Sequence, residues 1–145
     1  MTYYAVIDTN VIVSSMLKTN SIPGLIVKLI YENTIIPSLS EEILEEYVEV
    51  LTRNKFDISE DQIQREIATI KEKGILLKRE QCLEDLIDKD DIVFFEIVMS
   101  ARNTMDAYLV TGNMKHYPIR NYIVTPKEMI EIIEKENGPI QKDFK

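Results

Sequence analysis

The chain has one cysteine, Cys82, and one histidine, His116. A lone cysteine allows no internal disulfide, which fits a reducing compartment such as the cytoplasm. A lone histidine excludes zinc sites built from several His and Cys ligands and leaves a Ser-His-Asp scheme little support. Metal chemistry here would rest on oxygen ligands, which suit Mg²⁺ or Mn²⁺. Positive charge is also scarce: 17 Lys and Arg face 25 Asp and Glu, for a net charge of −8. Modules that hold nucleic acid by broad electrostatics are usually basic, so the charge counts against one of those. It does not count against a nuclease, because bound metal ions offset a carboxylate cluster. A basic protein partner would also suit an acidic surface. No apolar run approaches the roughly 20 residues that span a bilayer. The N-terminus lacks the basic region and small-residue cleavage site of a secretory signal. The expectation is a cytoplasmic protein with no membrane contact. Four glycines and five prolines are scattered, and no linker, repeat or low-complexity tract stands out. Residues 1–145 therefore read as a single domain with one core.

What is present is an alternation of short apolar strands and amphipathic helices. Tyr3 to Ile7 reads as a buried strand, followed by a helix over Thr9 to Leu17. After the turn "TNSIPG", Leu25 to Tyr31 predicts a second helix and Thr34 to Ser38 a second strand. Ser40 and Ser59 are N-caps for two further helices, the latter ended by Gly74. Strands are expected at Ile75 to Lys78, Ala107 to Thr111 and Asn121 to Thr125, with an apolar helix at Ile92 to Ala101. Thr125, Pro126 and Glu128 make a capping-box start for the last helix. The alternation predicts an α/β fold with a parallel sheet covered on both faces, whose working site lies beyond the C-terminal strand ends.

At those ends the acids accumulate. Asp8 directly follows the first strand, where it either caps the next helix or binds something. On the helix after Ser40, the apolar stripe is Ile43, Leu44, Tyr47, Val48, Val50 and Leu51. Glu46 lies nearer that stripe than Glu42, Glu45 or Glu49. Glu41 and Glu42 suit the first turn, where they favour the helix dipole. In "DLIDKDDIVFFEIVMSA", Asp88 is a candidate N-cap with Asp90 and Asp91 in the first turn. Asp91 is aligned with the buried face of Phe95 and Val98. Glu96 is either a buried acid with a partner or a site residue. Thr111 and Asn113, flanking Gly112, offer neutral oxygens or form an ordinary polar turn. Asp8, Glu46 and Asp91 are thus expected to converge at one sheet edge beside Asn113. Like charges at close range repel, and a divalent cation relieves that repulsion, activates water and stabilises a phosphoryl transition state.

The segments "VIDTNVIVS", "SEEILEEYVEVLTRNKF", "DKDDIVFFEIVMSA" and "AYLVTGNMKHYP", in this order, resemble the PIN-domain ribonucleases. They are most similar to the toxin components of toxin–antitoxin systems. The resemblance implies a three-layer α/β/α sandwich with a central, mostly parallel sheet. It also implies Mg²⁺ or Mn²⁺ dependence, cleavage of single-stranded RNA, a small antitoxin partner and a homodimer. By position it assigns Asp8, Glu46 and Asp91 as catalytic metal ligands, with Thr9, Asn10 and Thr111 in support. Between Asp90 and Asp91, the register of the following helix favours Asp91. Many members carry a fourth acid where this chain has Asn113, which puts a second metal ion in question.

The alternative within the same fold is a catalytically weak protein that binds RNA or an antitoxin. A receiver-like domain shares the α/β alternation, but no matching acid pair follows the first strand. A haloacid-dehalogenase-type phosphatase needs Asp-x-Asp there, and Asp8-Thr9-Asn10 lacks the second acid.

Overall fold

The computed structural model describes residues 1–79, 89, 91–142 and 144. Among them run β1 (Tyr3–Ile7), α1 (Thr9–Leu17), α2 (Ile22–Tyr31), β2 (Ile35–Leu39), α3 (Glu41–Leu51), α4 (Glu60–Lys73) and β3 (Ile75–Leu76). Then follow α5 (Ile92–Ala101), β4 (Ala107–Val110), β5 (Ile123–Val124) and α6 (Pro126–Asn137). The five strands form one sheet in the order β3-β2-β1-β4-β5, and every pairing is parallel. This is the expected three-layer α/β/α sandwich. A receiver-like domain would show the order 2-1-3-4-5 instead.

The order explains where a site can form. From β1 the chain steps outward to β2 and β3 on one side. It then crosses back through α5 to β4 and β5 on the other. Right-handed crossovers place the connections of opposite direction on opposite faces of the sheet. Helix α2 contacts α1, α4 and α6, whereas α5 packs on β1, β2 and β4. Direction therefore switches between β1 and β4, and a crevice opens beyond their C-terminal ends. Register makes the two ends level: Ile7 pairs with Val110, and the Asp8 N–H donates to the Val110 carbonyl at 2.9 Å. Asp8 and Thr111 leave the sheet side by side.

The central strands are apolar because both faces are covered. Ala5, Val6, Ile7, Leu109 and Val110 are buried, as are Ile12, Ile26, Ile30, Phe94 and Ile97 on the helices. Under the crevice, Tyr47 of α3 is fully buried 6.4 Å from the ring of Phe94, and its hydroxyl donates to the Ile7 carbonyl. That bond fixes α3 against the last residue of β1.

Several boundaries differ from the sequence reading. Helix α2 starts at Ile22 rather than Leu25, because Ser21 Oγ accepts from the Gly24 N–H at 3.1 Å and Pro23 fits the first turn. Edge strands β3 and β5 pair over two residues each, since one neighbour supports them. Val48 is exposed rather than part of the apolar stripe. The N-cap of α5 is Asp91, not the expected Asp88, and Asp91 makes no side-chain capping bond. Asp88, Asp90 and Cys82 lie outside the described residues. Capping at Ser40, Ser59 and the Thr125–Glu128 box is as expected.

Tyr47→Phe removes a buried donor from the Ile7 carbonyl without changing packing volume. It should cost about 1 kcal/mol, and Tyr47→Ala about 3–5 kcal/mol because it also leaves a cavity. Urea denaturation of the three proteins measures both.

Candidate active site

Asp8 occupies the N-cap position of α1, with φ −63° and ψ 147°, but its side chain makes no capping hydrogen bond. The carboxylate turns instead to β4 and the segment after it. Thr111 Oγ1 donates to Asp8 Oδ2 at 2.7 Å, and the Tyr117 hydroxyl donates to the same oxygen at 3.2 Å. Asp8 is only 4% exposed, and no lysine or arginine pairs with it among the described residues. Burial pushes its carboxyl above the usual aspartate range. Hydrogen bonds from Thr111, Tyr117 and the Thr9 backbone, with His116 nearby, pull against that rise.

The other acids are held one by one. Glu46 is half-buried and accepts a hydrogen bond from Thr9 Oγ1, whereas Glu45 is exposed. The helix register thus turns Glu46 to the strand end. Asp91 Oδ2 lies 2.9 Å from His116 Nδ1. Asn10 Oδ1 accepts from the Gly112 N–H at 3.2 Å, clipping α1 to the turn after β4. A Cβ on Gly112 would stand 3.3 Å from that same oxygen, so the close approach favours glycine. The Asn113 side chain is exposed, while its N–H donates to Thr111 Oγ1 at 2.9 Å.

Glu96 stands apart from these contacts. It is buried on α5 and accepts from Arg79 Nε at 2.8 Å; Arg79 also lies 3.7 Å from Glu42. Glu96 thus has a basic partner in Arg79.

Tyr117 and His116 had no place in the sequence-based site, and the structure puts both at its centre. Burial holds the Tyr117 proton far above the usual tyrosine range, and the charges of Asp8, Asp91 and Glu46 add to that rise. Of the three, Asp8 accepts a hydrogen bond from that hydroxyl. The signal available in the sequence was the "KHYP" ending of the last motif, which follows the Asn113 turn.

Hard oxygen donors around a desolvated carboxylate without a cationic partner fit a divalent cation in kind. The side chains do not close around a single point, however. Among the described residues no three His, Cys, Asp or Glu groups are gathered as an ion-holding cluster. Each acid is instead occupied by a protein donor. A separate cavity of about 450 Å³ lies between α1, α2, α4 and the C-terminal segment, bordered by Met16, Tyr31, Arg65, Glu66 and Phe144. It includes none of these carboxylates.

The PIN-domain sequence pattern matches residues 4–115, a span that contains Asp8, Glu46, Asp91 and the whole of β4. The chain belongs to the PIN-domain family. PIN domains are generally nucleases, so a nuclease-like, broadly hydrolytic function comes with membership. An uncharacterized protein of Methanocaldococcus jannaschii, MJ1680, is 29% identical, over 90% of this chain and 91% of its own length. No solved structure matches the chain. Among the described residues no helix is long and apolar enough to cross a membrane.

In the PIN domain without metal, a raised folded-state pKa means that the native state holds the Asp8 proton more tightly than the unfolded chain does. Stability from this group is full at low pH and is lost as pH rises from the ordinary value of 3.8 through the folded value. Asp8→Asn keeps an acceptor for Thr111 and Tyr117 and removes the charge. In EDTA at pH 7 it should melt above the wild type, and the gap should close as the pH falls below 3.8. Thermal melts across pH check this.

Proposed function

We propose that this PIN domain is a metal-dependent endoribonuclease acting on single-stranded RNA. The observation that supports it most is the buried Asp8 carboxylate at the switch between β1 and β4, with which no lysine or arginine pairs among the described residues. Carboxylates brought together at a desolvated edge destabilise the protein unless something positive joins them. Asp8, Glu46 and Asp91 are the residues that would hold Mg²⁺ or Mn²⁺.

Bound there, the cation would supply neutralisation of phosphate charge and a lower pKa for water, so that hydroxide is available as the nucleophile. The chain's own residues do the rest. Thr111 and Tyr117 orient Asp8 through Oδ2. Thr9 orients Glu46 through its hydroxyl. His116 holds Asp91 through its Oδ2. Asn113, where relatives often carry a fourth acid, brings no charge, which favours one well-held ion with a second recruited weakly or only with the RNA phosphate.

The resemblance to toxin components and the net charge of −8 support a small antitoxin with basic character as partner, acting on a homodimer in the cytoplasm. The exposed, uncharged Asn113 also supports a second reading, a PIN domain that binds RNA or an antitoxin and cleaves little. The following assay separates the two.

Cleavage of single-stranded RNA should require Mg²⁺ or Mn²⁺ and stop with EDTA. Asp8→Ala, Glu46→Ala and Asp91→Ala should each abolish it with the fold intact by circular dichroism. Glu45→Ala should retain it. Loss in Glu45→Ala but not in Glu46→Ala would make Glu45, not Glu46, the second acid of the site. Independently, Asn113→Asp should bind Mn²⁺ more tightly than wild type in calorimetry and should lower the melting temperature in EDTA.

A further inference from the structure

We propose that Met114–Tyr117 is a staple that sets the separation of two carboxylates, with Tyr117 the positioning residue for Asp8 and His116 the positioning residue for Asp91. The inference rests on the metal-dependent reading above and adds to it the device that holds the ligands. Asp8 ends β1, and Asp91 begins α5, so no single element fixes their distance. The two residues that reach them are adjacent in sequence. Tyr117 Oη donates to Asp8 Oδ2 at 3.2 Å, and His116 Nδ1 lies 2.9 Å from Asp91 Oδ2.

The staple is itself anchored. The single turn Met114–His116 is closed by the His116 N–H on the Asn113 carbonyl, at 3.0 Å, and by the Tyr117 N–H on the Met114 carbonyl, at 3.3 Å. The Asn113 N–H bonds Thr111 Oγ1 at 2.9 Å, and that hydroxyl donates to Asp8. The path from Asp8 through Thr111 and the turn returns to Asp8 and Asp91. Both side-chain donors to Asp8 converge on Oδ2, leaving Oδ1 without a side-chain donor among the described residues.

Two carboxylates that repel one another swing apart unless something fixes them. Residues that orient metal ligands commonly change affinity by about 10- to 100-fold when removed. His116 is well placed to separate that role from ordinary stability. Its side chain is 47% exposed, so its contribution to folding is small. Its effect should fall on metal affinity instead.

The test is Mn²⁺ titration calorimetry on the full chain, for wild type, Asp8→Asn, Tyr117→Phe, His116→Leu and His116→Asn, with a melt of each in EDTA. Tyr117→Phe and His116→Leu should bind Mn²⁺ about 10-fold more weakly. Their kcat on RNA should fall with KM little changed. His116→Asn, whose amide nitrogen can take the place of Nδ1, should stay close to wild type. Both His116 variants should melt within about 2 °C of wild type. Wild-type affinity in Tyr117→Phe and His116→Leu, with Asp8→Asn weakened, would overturn the staple and leave the nuclease reading standing. No Mn²⁺ binding by the wild type would overturn both. Should Tyr117→Phe fail to fold, the pair of variants at exposed His116 decides the matter.

Discussion

The 2.7 Å hydrogen bond from Thr111 to Asp8 joins the ends of the two central strands at the place where the sheet changes direction. It can form only because Ile7 and Val110 are in register, which in turn depends on apolar side chains filling both faces of β1 and β4. A carboxylate in that position loses most of its water. Its two hydroxyl donors offset part of the loss, and the carboxyl still titrates above its ordinary range. The other polar contacts at the edge follow from that constraint: Thr9 on Glu46, His116 on Asp91, and Tyr117 shared between the sheet edge and the turn.

The order of elements was legible because hydrophobic period and capping residues agreed along most of the chain. Ser40, Ser59 and Thr125 each mark a helix start by a side-chain oxygen that accepts a backbone N–H, a local rule that needs no tertiary information. The register of α3 was readable for a similar reason. Ile43, Leu44, Tyr47 and Leu51 are buried, and this places Glu46 at the edge of their face. The start of α5 was less legible. A run of aspartates offers several possible caps, and the tertiary contact of Asp91 with His116 is not written in that local pattern.

His116 and Tyr117 illustrate the limit of one-dimensional reading. A single histidine excludes zinc clusters and was given no other part. A tyrosine beside a proline has no local pattern that separates core filling from ligand positioning. Their roles come from the turn at Met114–His116, which sends adjacent side chains to acids on different elements. Glu96 is the converse case. Its place between apolar residues allows two readings, and the guanidinium that partners it, from Arg79 beyond β3, has no signal in that local pattern.

The central claim is that Asp8 sits at a sheet edge built to receive a divalent cation. The measurement that tests it most directly is anomalous diffraction from a crystal of the protein grown with Mn²⁺. The predicted result is a Mn²⁺ peak within bonding distance of Asp8 that is absent in Asp8→Asn crystals. A Mn²⁺-soaked wild-type crystal with no peak at Asp8, or with its peaks confined to other parts of the surface, would contradict it.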